Sequence, residues 1–374
     1  MYEDRDLDAA VTGGILSAAT AEQFRHFAAA RTGRLPADDE ATRLSAGVSD
    51  LFVAIGVALL CTALFLSLRQ FGLGAGWCFV GVGWILAEYF VRQRRMLLTG
   101  MLLLGVLIAG GLCGMFAVSL SMLPGSAPPN PTWTAIELAV DRAPMHGFAV
   151  YAGVALLCWI YWKRFGVALA YAGMVLMLFN VPYFLARLLV PAMPAALEGA
   201  LLLGCGLATF ALAMLWDMTD VYRQTVRADV AFWLHAIAGF TIGNVIPRLA
   251  IGLPVGSHEP YERFRAAMLT LDTFQALSIL AIYGIFMAVS LIIDRRALML
   301  SGLVFAFSAF ASLSGSPQDR GPMLLGTGML AVLILAAAIW WAPLRRMLLA
   351  LFPDTFRAQL PRTELPRPRA RPIV

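Results

Sequence analysis

Three side chains that could do chemistry sit in one apolar stretch of the sequence, Val230 to Leu253: His235, Asn244 and Arg248. In apolar surroundings an imidazole can relay a proton or bond a neighbouring helix, an amide can meet a solute, and a guanidinium can hold an anion or reach out to water. Asn244 and Arg248 are four residues apart, share one helical face and have Pro247 between them. His235 and Asn244 are nine residues apart, about 900° of helix rotation, so they point to opposite sides. His235 shares its side with Gly239 and Gly243, where a second helix can approach; a hydrogen bond across that contact is the alternative to a transport or proton-relay role. In another apolar stretch Pro182 lies between Asn180 and Arg187. A broken helix of this kind can mark a solute site, or be a kink whose freed carbonyl a neighbour satisfies. His235, Asn244, Arg248, Asn180 and Arg187 together make up the candidate polar site.

A second set consists of acids at the edges of apolar stretches: Glu88, Asp217, Asp220 and Asp229. Glu88 is followed by Arg92, Arg94 and Arg95, which predicts an interfacial ion pair. Asp217, Asp220 and Arg223 recur at intervals of three, a helical ladder. Asp50, with Ser49, is placed to cap the apolar run that follows it. The acids would bind a metal only if another segment added ligands, so no metal and no catalytic residue is assigned. The five cysteines, at 61, 78, 113, 158 and 205, share no CxxC spacing and read as small apolar filler. The glycine-rich Gly72 to Gly76 follows no strand and precedes no lysine, so it is no nucleotide loop, and no cofactor is expected. Gly110 with Gly114, like Gly239 with Gly243, has the spacing of close helix packing.

The elements that position these residues are apolar runs of membrane length. The chain is 60% hydrophobic and 14% charged, with a mean hydropathy of +0.76. Ten runs can be drawn: 50–68, 71–86, 96–123, 145–162, 165–189, 195–216, 230–253, 273–293, 297–313 and 323–341. The expectation is an all-α polytopic bundle spanning 50–342, preceded by a head over 1–45 and followed by an interfacial turn and a disordered basic tail over 343–374. Arg69-Gln70, Lys163-Arg164 and Asp294-Arg295-Arg296 punctuate the runs where charges are tolerable, at headgroup level.

An even number of spans puts both ends on one side. That side then holds 21 of the 28 basic residues, against seven on the other, which predicts cytoplasmic termini. Counting internal loops alone, the ratio is nine to seven. The acidic opening, with Glu3, Asp4, Asp6 and Asp8, is unlike a positively charged leader. Arginine outnumbers lysine by 27 to one, a composition associated with GC-rich bacteria and so with a bacterial inner membrane. The net charge of +5 is spread as membrane-flanking anchors rather than as a patch, so the expected partner is the lipid bilayer and not nucleic acid.

In the head, an apolar stripe over Asp6 to Val11 ends at Gly13-Gly14. Thr20 and Gln23 have capping-box spacing ahead of a helix over Ala21 to Arg31, with Phe24 and Phe27 on one face. Such a hairpin is too small for its own core. It should therefore rest on the membrane surface, another cytosolic loop, a partner protein or a second copy. The outer stretch from Pro124 to Pro144 reads as a loop carrying a short interfacial helix at Thr132 to Val140.

Gly14-Ile15-Leu16-Ser17, Glu22-Gln23-Phe24, Gly47 to Val53 and Asp229 to His235 carry a resemblance. With the layout of the spans, they make the chain similar to a loosely defined group of uncharacterised bacterial multi-pass inner-membrane proteins with a short helical cytosolic head. The resemblance implies a helical membrane bundle and brings no substrate, cofactor or catalytic residue. Three functions fit the sequence: a transporter or permease, a non-catalytic scaffold or sensor whose head engages a partner, and an enzyme acting on a lipid-like substrate. Of these the enzyme has the least support, because the acids are scattered.

Overall fold

In the computed structural model the described residues are 4–17, 19–21, 23–24, 48–122, 144–191, 193–220, 225–250, 271–296, 298, 306–307, 309–310, 313 and 320–353. Within them the chain is helical: α1 Asp4–Thr12, α2 Val48–Leu68, α3 Gly76–Ala87, α4 Leu97–Ser121, α5 Pro144–Phe165, α6 Ala168–Leu178, α7 Asn180–Leu189, α8 Ala195–Thr219, α9 Val226–Ala250, α10 Thr273–Ile293 and α11 Arg320–Leu349. Among the described residues seven helical stretches are long and apolar enough to cross a membrane, or eight if the bent pair within α11 is one span.

That number is smaller than the ten runs drawn from the sequence, for two reasons. The run over 297–313 lies largely outside the described residues. The first two runs belong to one continuous helical stretch of 46 residues, Val48–Gln93. This stretch doubles back. Asp50, at the start of α2, bonds the start of α4. Gly76, at the start of α3, lies against Gly110 and Gly114 near the far end of α4, and Val91 returns to Gly100. The reversal is made by a 3-10 turn, Arg69–Ala75, in which Gly72 takes φ 63° and ψ −149°, a backbone region open essentially to glycine. The glycine-rich segment is thus a turn followed by a contact point: neither Gly76 nor Gly110 has room for a side chain.

α3 runs on into a π-helical turn, Glu88–Gln93, before the chain re-enters as α4. Leu103, Leu107, Val154, Cys158 and Tyr161 form the core between α4 and α5. From there aromatic edges lead across the molecule: Trp162 meets Tyr171 at 5.0 Å, and Tyr171 meets Trp216 at 5.3 Å. Ala168, Ala172, Ala213, Val230 and Leu234 then pack α6, α8 and α9 together. The small residues let these helices approach closely, which is how helices associate where no hydrophobic drive separates lipid from protein. One end of the bundle therefore gathers Asp50, Glu88, Arg164, Trp216, Asp217 and Arg295.

α11 is bent by 66° between Leu324–Ala337 and Ile339–Leu349. Pro343 is the cause: it has no N–H for the carbonyl of Ile339 and its ring crowds that turn. The interfacial turn expected over 343–374 falls on the segment beyond this bend, which is helical to Leu349. In the head, α1 closes at Gly13 and Gly14, the latter at φ 71°. The cap of the following helical turn is Ser17, whose Oγ accepts the Thr20 amide at 3.1 Å, rather than Thr20 itself. Phe24 is 45% exposed, so the chain itself does not bury it. Phe27 and most of the helix expected over Ala21 to Arg31, like the Thr132 to Val140 segment and the basic tail, lie outside the described residues.

Candidate functional site

Asp217 lies in the last turn of α8, and His235 lies nine residues into α9. Arg295 follows α10 after a single residue, Asp294, in the left-handed conformation at φ 58°. These three come from three different helices and meet inside the bundle, at 2%, 0% and 3% exposure respectively. Arg295 Nε donates to Asp217 Oδ2 at 3.1 Å, and its Nη2 donates to Asp217 Oδ1. The same Nη2 reaches the carbonyl of Ala228 at 3.2 Å. Planar guanidinium and carboxylate thus meet two-to-two, the geometry that arginine favours. His235 Nδ1 lies 2.8 Å from the Ala231 carbonyl, so it carries a proton and donates to it. The same nitrogen is 3.7 Å from Asp217 Oδ2. The imidazole and the Phe210 ring meet edge to face, 5.5 Å apart at 89°.

The arrangement is one carboxylate within reach of two cationic groups, one permanent and one conditional. Arginine stays charged, whereas imidazole gains its charge only with a second proton. Burial away from water makes the choice of partner matter, because an unmatched charge here would be costly.

The turn that carries Arg295 is itself held. Ser290, fully buried, gives its Oγ proton to the Arg295 carbonyl at 2.5 Å, and Arg295 N donates to Ser290 O at 2.9 Å. From α11, Trp341 Nε1 donates to Asp294 Oδ1 at 2.8 Å. Arg345 Nε and Nη2 donate to the carbonyls of Leu291 and Ile292 at 3.0 and 3.4 Å. Arg296 lies over the Trp341 ring at 5.2 Å.

The residues singled out from the sequence are distributed as follows. His235 joins Asp217, one of the acids, and neither Asn244 nor Asn180: Asn244 bonds the Phe240 carbonyl and Asn180 the Leu176 carbonyl, each within its own helical stretch. The break ahead of α7 is partly answered by Cys205, whose thiol reaches the Phe179 carbonyl at 4.0 Å. Arg187 stacks over Tyr183 one turn back, at 6.0 Å. Arg248 lies in the last turn of α9, far along the helix from His235. Glu88 holds Arg164 of α5 at 2.7 Å and Arg92 of its own turn at 3.3 Å. Asp220 starts α9 by accepting the amide and hydroxyl of Thr225 at 2.9 and 2.7 Å. Asp229 sits in the first turn of α9. Among the described residues no group of three or more His, Cys, Asp or Glu could hold a metal.

Sequence reasoning passed over Arg295 and Arg345, counting both only as topological anchors, although Arg345 is 1% exposed. The spacing of basic residues along the chain carries no sign of which of them fold inward. It likewise read Asp50 as a cap for its own helix. The carboxylate instead caps α4, accepting the amides of Leu98 and Thr99 at 2.9 and 3.0 Å and the Thr99 hydroxyl at 2.6 Å.

A bundle of apolar helices of membrane length defines a polytopic helical membrane protein. Comparison with protein-family models, with curated proteins and with solved structures finds no match to this chain.

Proposed function

We propose that this polytopic protein is a transporter or permease of a bacterial inner membrane, with ten crossings and both termini in the cytoplasm. The observation that carries the reading is that His235, sealed from solvent, stands beside a carboxylate already engaged by Arg295. In the state described, Arg295 ties α10 to α8 through Asp217 and to α9 through the Ala228 carbonyl. A proton arriving on His235 creates a second cation 3.7 Å from Asp217. The carboxylate can then turn to the imidazolium, and the tie that holds the end of α10 is loosened. Proton binding is thereby converted into relative movement of helices, which is what a coupled transporter needs.

The test is electrical. Purified protein in liposomes on a solid-supported membrane is given pH steps in the presence of single solutes from a panel of amino acids, sugars, organic anions and organic cations. Transient currents with at least one solute class, lost in H235A and D217N, are expected. Their absence across the panel, or their persistence in both variants, overturns the reading.

A second reading, a scaffold or sensor whose head binds a partner, is favoured by the apolar side chains that the head leaves uncovered, Ile15 at 79% and Phe24 at 45% exposed. Removing residues 1–45 would then abolish partner capture or self-association and leave solute currents unchanged.

A further inference from the structure

The turn Ser290–Arg296 has two faces, and different helices hold them. Its inner face delivers Arg295 to Asp217 and Ala228. Its outer face presents the Leu291 and Ile292 carbonyls and the Asp294 carboxylate to α11, which meets them with Arg345 and Trp341. The last carbonyls of a helix have no partner within it. Here a guanidinium from another helix supplies the donors, and it is buried to do so. The two faces are rigidly joined: Asp294 in the left-handed conformation is immediately followed by Arg295, and Ser290 locks the Arg295 backbone from both its N–H and its carbonyl.

We infer that Trp341 and Arg345 are positioning residues for the Asp217–Arg295 pair, so that the C-terminal half of α11 acts as a latch on the site. With the latch closed, Arg295 is held on Asp217. With it open, the turn moves, Arg295 withdraws and the carboxylate is released. The bend between Ala337 and Ile339, N-terminal to Pro343, gives the latch its form, since it sets the segment carrying Trp341 and Arg345 at 66° to the rest of the helix. This inference rests on the reading of the Asp217 cluster as the working site. It does not depend on which solute, if any, is moved.

The experiment reads Asp217 directly. Dicyclohexylcarbodiimide, an apolar reagent, attacks carboxyls that carry a proton and spares those held by a guanidinium. The full-length protein in lipid nanodiscs is treated with it, and the peptide carrying Asp217 is followed by mass spectrometry. W341F removes the N–H donor to Asp294 and leaves a smaller ring under Arg296; R345Q removes the charge on the α10 carbonyls; Y161F, which loses a buried hydrogen bond in the other half of the bundle, is the control for general loosening. Adduct on Asp217 should rise about tenfold over wild type in W341F and R345Q, the effect expected from losing one charge-assisted bond, stay at the wild-type level in Y161F, and fall back toward it in R345K. Unchanged labelling in both latch variants, or an equal rise in Y161F, overturns the latch. The labelling needs no transported solute, so a protein that passes this test and gives no solute currents keeps the latch and loses only the transport reading.

Discussion

Asp217 and Arg295 are 78 residues apart in the chain and share two hydrogen bonds inside the bundle, each almost wholly shielded from solvent. Such a pair adds little net stability by forming, because both charges give up their hydration. Breaking it by removing one partner is costly, since the other charge is left buried and unmatched.

D217N and R295Q should each therefore lower stability by about 3 to 5 kcal/mol. The double apolar variant D217L/R295M should lie closer to wild type than either single change, because it leaves no orphaned charge. Denaturation in mixed micelles with increasing SDS measures all four proteins. Single variants as stable as wild type would show that the pair is not buried in the membrane-bound protein.

Asp50 caps a helix that is not its own, and its two oxygens receive three donors from Leu98 and Thr99. D50A should cost about 0.5 to 2 kcal/mol, the range for loss of an N-cap. The more specific outcome is local: hydrogen exchange at the Leu98 and Thr99 amides should accelerate, while Met101 and beyond keep their protection. T99A should reproduce a part of the effect, since it removes one donor of the three.

Tyr161 donates to the Gly100 carbonyl at 2.9 Å, from α5 to α4. Hydrogen bonds between helices in a bilayer are modest, so Y161F should lose about 0.6 kcal/mol and not more than about 1.7. A considerably larger loss would mean that the hydroxyl supports more than this one carbonyl.

Glycine at 76 and 110 lets α3 touch α4 backbone to backbone. G110L should force the two helices apart, with a loss of about 1 to 3 kcal/mol from overpacking. At Gly105, on the same helix and facing open space, the same change should be nearly neutral. Comparable losses at both positions would mean that α3 and α4 do not pack as described.

If both ends lie in the cytoplasm, as proposed, reporter fusions after residue 45 and at residue 374 should both report the cytoplasmic side. The turn Asp294 to Arg296 should also be labelled only from that side, since it shares an end of the bundle with Asp217 and Arg345. A terminus found outside would remove the even number of crossings.

The sequence by itself determined the class of protein. Apolar runs of membrane length cannot be accommodated otherwise in a chain with so few charges, and the helical period within each run follows from the need to satisfy every backbone group internally. It also identified, one by one, two of the three members of the buried cluster: His235 as an ionisable group inside a span, and Asp217 as an acid at the edge of another. What it left open was their partnership. Composition marks a residue as polar but carries no rotational phase from one helix to the next. Spacing alone set Asn244 and Arg248 on the side of their helix away from His235, but gave no sign of which group on another helix His235 would face. Only the tertiary structure, by packing the small residues of α8 and α9 against each other and turning the chain sharply at Asp294, decided that Asp217, His235 and Arg295 meet. The same packing separated two kinds of arginine that are identical in sequence: those that remain at the rim, such as Arg92 and Arg164, and those drawn inward to a carboxylate or to the bare end of a helix, Arg295 and Arg345. The difference arises because a helix end inside a bundle leaves carbonyls that water cannot reach, and a guanidinium from a neighbouring helix is long enough to satisfy them.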